Sequence, residues 1–251
     1  MPQRVAIVTG GASGIGKAIV EALARQQYRV VSADIRPGAY DAAVSDQIES
    51  LIADLSQRSA CQQVVQETFN RHGRIDVLVN NAGFQHVDPI EDFPEDTWDN
   101  MLALMLTAPF LLTRYVWPAM QSQRWGRIIN IASIHGVVAS PYKSAYISAK
   151  HGLIGLTKCT ALEGGDYGIT VNAICPAYVA TPLVENQIEA QAKAHDLSRD
   201  DVIEQVMLAP AAIKRLIEPD EIADFVLYLC SDSGAVITGA SLMIDLGWTA
   251  R

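Results

Sequence analysis

Val5-Ala6-Ile7-Val8-Thr9-Gly10-Gly11-Ala12-Ser13-Gly14-Ile15-Gly16 decides the fold of this chain. The first five residues form a short apolar run rich in β-branched side chains, which suits a strand buried on both faces of a parallel sheet. Ile15, Ile19, Val20 and Leu23 then recur at helical spacing. A glycine turn between strand and helix lets the backbone reverse tightly and lets phosphate oxygens approach the amides at the helix start. The glycines fall at Gly10, Gly14 and Gly16, a departure from the common G-x-G-x-x-G spacing.

Outward from this stretch the alternation repeats. Strand-like runs at 28–33, 50–55, 75–79, 127–132, 170–175 and 241–244 are separated by helical patterns at 59–71, 95–121, 144–163 and from Glu218 onward. Such alternation implies parallel pairing with right-handed crossovers. The expectation is one doubly wound α/β domain of Rossmann type over residues 1–251, a parallel sheet flanked by helices on both faces. Segment 183–209 is polar, weakly periodic and follows a strand end, so it reads as a mobile helical lid. Segment 95–121 is so apolar that its outer face is expected on another subunit, with Pro109 and Pro118 bending it.

The 251 residues are 49% hydrophobic and 19% charged, a globular composition. The formal charge of −9 without a basic cluster argues against nucleic acid and anionic membranes as partners. Apolar runs read as too short and interrupted to span a bilayer, and no secretory leader is visible. Cys61, Cys159, Cys175 and Cys230 are far apart and show no CxxC spacing. They suggest reduced thiols in a cytoplasmic protein, with no metal site.

Three groups of residues carry chemistry. Asp34, ending the second strand, can accept hydrogen bonds from adenosine ribose hydroxyls and would repel a 2′-phosphate. Arg36 can instead meet that phosphate; Asp34 stands at the strand end itself, which favours NAD. Asp54 and Leu55, at the end of the third strand, can meet the adenine. Tyr146 and Lys150 are four positions apart, so a helix stacks them one turn apart on one face. A nearby ammonium group lowers the pKa of a phenol toward that of a working base, and Ser133 can supply a hydroxyl to a substrate oxygen.

Thr9-Gly10-Gly11-Ala12-Ser13-Gly14-Ile15-Gly16, Asn80-Asn81-Ala82-Gly83, Ser133 and Tyr146-Ile147-Ser148-Ala149-Lys150 together resemble the short-chain dehydrogenase/reductase family over essentially the whole chain. The resemblance implies hydride transfer between a nicotinamide cofactor and an alcohol or ketone, by a catalytic Ser133, Tyr146 and Lys150, in a homotetramer. It implies cofactor contacts from Gly10, Ser13, Gly14, Ile15, Gly16, Asp34, Asp54, Leu55, Asn81, Ala82, Tyr146, Lys150, Pro176, Val179 and Thr181. Phe84-Gln85-His86-Val87, Ser133-Ile134-His135-Gly136, Pro141-Tyr142-Lys143-Ser144, Asn186-Gln187 and Gly247-Trp248 look like the bacterial (R)-3-hydroxybutyrate dehydrogenases within that family. That likeness implies a small hydroxy or keto acid held by Gln85, Ser133, His135, Lys143, Tyr146, Gln187 and Trp248. A small anion needs positive charge and several donors, which this set contains.

Other readings are a dehydrogenase of another small hydroxy acid, a 3-oxoacyl thioester reductase, or a silent NAD-binding regulatory protein. Asp34 and the acidic balance speak against the thioester reductase. Met105 supports the silent protein, because the family has an asparagine there in its proton relay. Ala177 after Pro176 and Leu246 before Gly247 also depart from the family pattern. For Met105, the expectation is that Pro109 frees a main-chain carbonyl near it, which holds a relay water in the asparagine's place.

Overall fold

The structure, a computed structural model, describes residues 3–195 and 198–250. Seven strands form one sheet: β1 (Val5–Thr9), β2 (Arg29–Asp34), β3 (Ile48–Ile52), β4 (Val77–Asn80), β5 (Gly126–Ile131), β6 (Ile169–Pro176) and β7 (Ser241–Ile244). Every pairing is parallel and the order is β3-β2-β1-β4-β5-β6-β7. The helices are α1 (Gly14–Arg25), α2 (Arg58–His72), α3 (Glu95–Leu102), α4 (Ala108–Gln123), α5 (Ser144–Gly164), α6 (Pro182–His195), the single turn α7 (Arg199–Asp201) and α8 (Pro219–Cys230).

The strand period of two sorts the core onto two faces. Ala6, Val8, Val77, Val79, Ile129 and Ile131 pack with Val20 and Leu23 of α1 and with Ile222 and Val226 of α8. Their neighbours Ile7, Leu78 and Ile128 face the other way, onto Val64 and Val65 of α2 and Leu111, Leu112 and Val116 of α4. The sheet is therefore doubly wound, as expected. The order reverses between β1 and β4, which opens a crevice beyond the carboxyl ends of the strands.

Helices α3 and α4 are joined by a π-helical turn, Ala103–Thr107. In it the Ala108 N–H bonds to the Ala103 carbonyl. Pro109 has no N–H, so it can serve neither Met105 in an α register nor Leu104 in a π register. The irregularity expected near Met105 is present, with the Leu104 carbonyl released as well. The apolar runs are not all short, contrary to expectation: the segment Glu95–Gln123 is long and apolar enough by composition to cross a membrane. Met101, Met105, Leu111, Leu112, Val116 and Met120 are each buried in the domain, which identifies it as a core helix.

After β6 the chain crosses the crevice as α6, α7 and a second π turn, Val202–Met207. Val184 and Ile188 pack on Val202, Met207 and Tyr178. Residues 196 and 197 of the expected lid lie outside the described residues. The end of the chain then ties this cover down. The Asp245 carboxylate accepts from the Gly247 and Thr249 N–H groups, while the Leu246 carbonyl accepts from Ala212 and Ile213. The Trp248 indole donates to the Met207 carbonyl at 3.3 Å.

Candidate active site

The crevice is a cavity of about 590 Å³. At one end is the glycine turn. Gly10 has φ +64, and a Cβ placed on it would lie 2.8 Å from the Ala82 Cα. Asn81 braces the turn: its side-chain amide donates to the Thr9 and Gly10 carbonyls at 2.9 and 3.1 Å. The Asn81 and Ala82 N–H groups both bond the Thr9 hydroxyl. Gly10, Ser13, Gly14, Ile15, Asn81 and Ala82 line the cavity. Gly16 does not; it lies beneath the turn, where a Cβ would strike the Gly10 carbonyl. Ser13 is the N-cap of α1 without a side-chain cap bond, which leaves first-turn amides for an anion.

Beyond the turn, Asp34 accepts the Ala12 N–H at 3.0 Å and the Arg36 N–H at 3.2 Å. The Arg36 guanidinium reaches across to the Ser13 hydroxyl at 3.2 Å. Ile35, Ala53 and Leu55 supply an apolar wall. Ile35 carries no signal in the sequence, because a 71% exposed isoleucine makes no periodic pattern. Asp54 is not among the lining residues; its Oδ1 accepts from the Ser56 N–H at 3.0 Å and from the Ser56 hydroxyl at 2.7 Å. A glycine-rich turn, free amides at a helix start, an acceptor at the β2 end and an apolar slot together fit a dinucleotide. Pro176, Val179 and Thr181 continue the lining from the end of β6.

Strand β5 and helix α5 deliver the reacting groups. Ser133 caps a 3₁₀ turn, Ile134–Gly136, and its Oγ accepts the His135 N–H at 3.1 Å. That bond occupies the oxygen and leaves the hydroxyl hydrogen to be donated. Tyr146 lies within reach of Ser133, and this hydrogen bond favours its phenolate. Burial outweighs it and raises the Tyr146 pKa, with Tyr178 adding to the rise. The Lys150 Nζ sits 5.5 Å from the Tyr146 ring centroid, so the predicted stacking on one face is present. Its bond, however, goes to the Ile131 carbonyl at 2.7 Å. Burial pushes the Lys150 pKa down to about 8, partly opposed by Cys175. The expectation that Lys150 lowers the Tyr146 pKa is therefore not met in the free protein; burial of the phenol decides the direction.

At the far end Gln85, His135, Lys143 and Gln187 line the cavity together with Ser133, Tyr146 and Lys150. Burial lowers the Lys143 pKa. Among the described residues the Lys143 ammonium group has no ion pair or hydrogen bond, although its backbone carbonyl accepts the Ile147 N–H. His135 is held neutral: burial first, then Lys143 and His151, push its pKa to about 4. Trp248 lies behind this group rather than in the lining, its ring 6.3 Å from that of His135. Its indole is spent on Met207, so the tryptophan backs the histidine and anchors the cover. Tyr178 and Leu104 also line the cavity, and no motif or period in the sequence places either one there.

Comparison with known proteins gives consistent matches. A family model described as short chain dehydrogenase matches residues 4–192. The uncharacterized oxidoreductase YxjF of Bacillus subtilis is 45% identical, with 100% of each chain covered. A D-beta-hydroxybutyrate dehydrogenase of Rhizobium meliloti is 43% identical, with 99% of each covered. Among solved structures, levodione reductase superposes with a TM-score of 0.91 at 33% identity, over 100% of this chain and 99% of that one.

Proposed function

The chain belongs to the short-chain dehydrogenase family, and from that premise we propose that it interconverts (R)-3-hydroxybutyrate and acetoacetate with NAD. The observation that carries the reading is Lys143, a partly buried cation beside Ser133 and Tyr146 with no acidic partner among the described residues. Leaving a cation unpaired in a cavity is unfavourable unless a ligand supplies the counter-charge. A substrate carboxylate does so, and Gln85, Gln187 and neutral His135 add polar contacts. The relative named D-beta-hydroxybutyrate dehydrogenase supports the same substrate.

In this mechanism Ser133 donates its free hydroxyl hydrogen to the substrate oxygen and positions it. Tyr146, as phenolate, takes the hydroxyl proton. Bound NAD supplies the hydride acceptor. Lys150 leaves the Ile131 carbonyl when cofactor and substrate enter, and its charge then stabilises the Tyr146 phenolate. The hydroxy acid loses one hydride and one proton and leaves as the keto acid; the reverse direction returns both. Segment 183–209 acts as a lid that excludes water and brings Gln187 to the carboxylate.

NAD follows from Asp34 at the β2 end. A homotetramer in the cytoplasm is the expected setting. Phe110 on α4 and Leu162 on α5, 46% and 87% exposed, support an apolar contact between copies, and four free cysteines agree with a reducing compartment. The test is NADH formation, followed by absorbance, with a panel of 3-hydroxybutyrate, its methyl ester, longer homologues and simple alcohols. Turnover of the acid and not of the ester is expected. Equal turnover of acid and ester overturns the carboxylate site, and no NADH from any member restores the silent regulatory reading.

A further inference from the structure

Ser140 is outside the cavity lining and in none of the sequence motifs, yet its Oγ lies 2.7 Å from the His135 Nε2. We propose that Ser140 is a positioning residue: it donates to Nε2 and so fixes His135 as the Nδ1–H tautomer, which presents a neutral donor to an anionic substrate. The proposal rests on the carboxylate reading for its purpose, and on the geometry around His135 for its substance.

A neutral imidazole has one donor and one acceptor nitrogen, and the bond made by one sets the role of the other. His135 is 5% exposed and neutral at working pH. Its Nε2 is committed to Ser140, and its Nδ1 has no partner among the described residues. His135 is one of the residues that line the cavity. The serine decides which way the proton runs between Nε2 and Oγ.

The Ser140 hydroxyl has one described partner, and that partner is Nε2. If Nε2 held the proton, the serine hydrogen would have no acceptor among the described residues. Nδ1 would then turn a lone pair toward the cavity and repel a carboxylate beside Lys143. With Ser140 as donor, the serine hydrogen is used on Nε2 and the imidazole keeps an N–H at Nδ1 for a ligand to accept. The ring is also held in place. The His135 backbone N–H bonds Ser133 Oγ at 3.1 Å, and the Tyr146 and Trp248 rings flank the imidazole at 6.2 and 6.3 Å. An isolated histidine side chain favours the Nε2–H form, so a specific partner is needed to hold the other one.

The tautomer is readable by long-range proton–nitrogen correlation on protein carrying ¹⁵N-histidine, near pH 7 and without substrate, with His135 assigned from its loss in His135→Gln. The expected pattern is Nδ1–H. In Ser140→Ala it should shift to Nε2–H or a mixture. KM for 3-hydroxybutyrate should rise about five- to tenfold, with kcat and NADH affinity within about twofold, and Ser140→Thr should restore both readouts. A wild-type Nε2–H signal overturns the proposal even if Ser140→Ala does not fold, and so does a Ser140→Ala protein that keeps Nδ1–H. If Nδ1–H is seen but 3-hydroxybutyrate is not a substrate, the role of Ser140 stands and the substrate reading fails.

Discussion

Lys150 gives its hydrogen bond to the Ile131 carbonyl, 2.7 Å away, and not to the phenol of Tyr146 one turn before it. A neutral carbonyl cannot offset the burial of an ammonium group, which is why the Lys150 pKa falls to about 8. A lysine depressed in the folded state binds fewer protons there than in the unfolded chain. Stability then rises with pH between the folded and unfolded values, and the cost is full below about 8. Lys150→Met should abolish turnover but stabilise the free protein near pH 7 by about 2–3 kcal/mol, with the gain fading toward about pH 10. Urea denaturation at both pH values checks this; an equal gain at each would remove Lys150 from the account.

Tyr146→Phe removes the group proposed to take the substrate proton. Turnover should fall by about a thousandfold or more while NADH binding stays near normal. Because burial raises the Tyr146 pKa in the free protein, oxidation should still be climbing above neutral pH. Flat rates from about pH 6 upward would mean that the phenol is not the base.

On the proposed reading, Asp34 favours NAD and Arg36 favours a 2′-phosphate. Asp34→Asn should weaken the preference for NADH over NADPH, and Arg36→Ala should sharpen it. The double variant should bind both weakly. Dissociation constants from nicotinamide fluorescence read this directly, and an unchanged ratio in Asp34→Asn would deny Asp34 its role.

Lys143→Met should lower kcat/KM for 3-hydroxybutyrate by about ten- to a hundredfold, from the loss of one charged hydrogen-bonding partner. Turnover of the methyl ester, already poor, should barely change. Equal losses on acid and ester would point to a folding role for Lys143 rather than recognition of the carboxylate.

If main-chain carbonyls at the π turn take the place of the asparagine, as expected from the sequence, Met105→Asn should alter turnover by less than about tenfold. A gain of about a hundredfold would show a natural site that is impaired.

Whatever repeats, or sits in one short stretch, is legible in the sequence. Strand and helix periods place β1, β2 and β4 through β7 closely, but they put β3 two residues late. At the sheet edge Ile48, Glu49 and Leu51 are only half-buried, so the apolar signal is weak. Tyr146 and Lys150 lie on one helix, and their stacking needs only helical geometry. The acceptor of Lys150 is on another strand, so no local rule finds Ile131. Resemblance puts Trp248 in the pocket wall, whereas its real contacts, Met207 and the back of His135, come from distant parts of the chain. Motif spacing also does not register that a serine two residues on bonds the Asp54 Oδ1, a contact only the structure shows.

The fastening of Trp248 and Leu246 onto Met207, Ala212 and Ile213 bears on how the protein is made. A ribosome delivers the glycine turn and Asp34 early, and Tyr146 and Lys150 about a hundred residues before the tail. The cover over the cavity is anchored by almost the last residues described. During translation the nascent chain thus has its cofactor-facing half long before it has anything to close with. A chain interrupted before Asp245 should retain much of the sheet and leave the cover untied, so the loss falls on the cover rather than on the core.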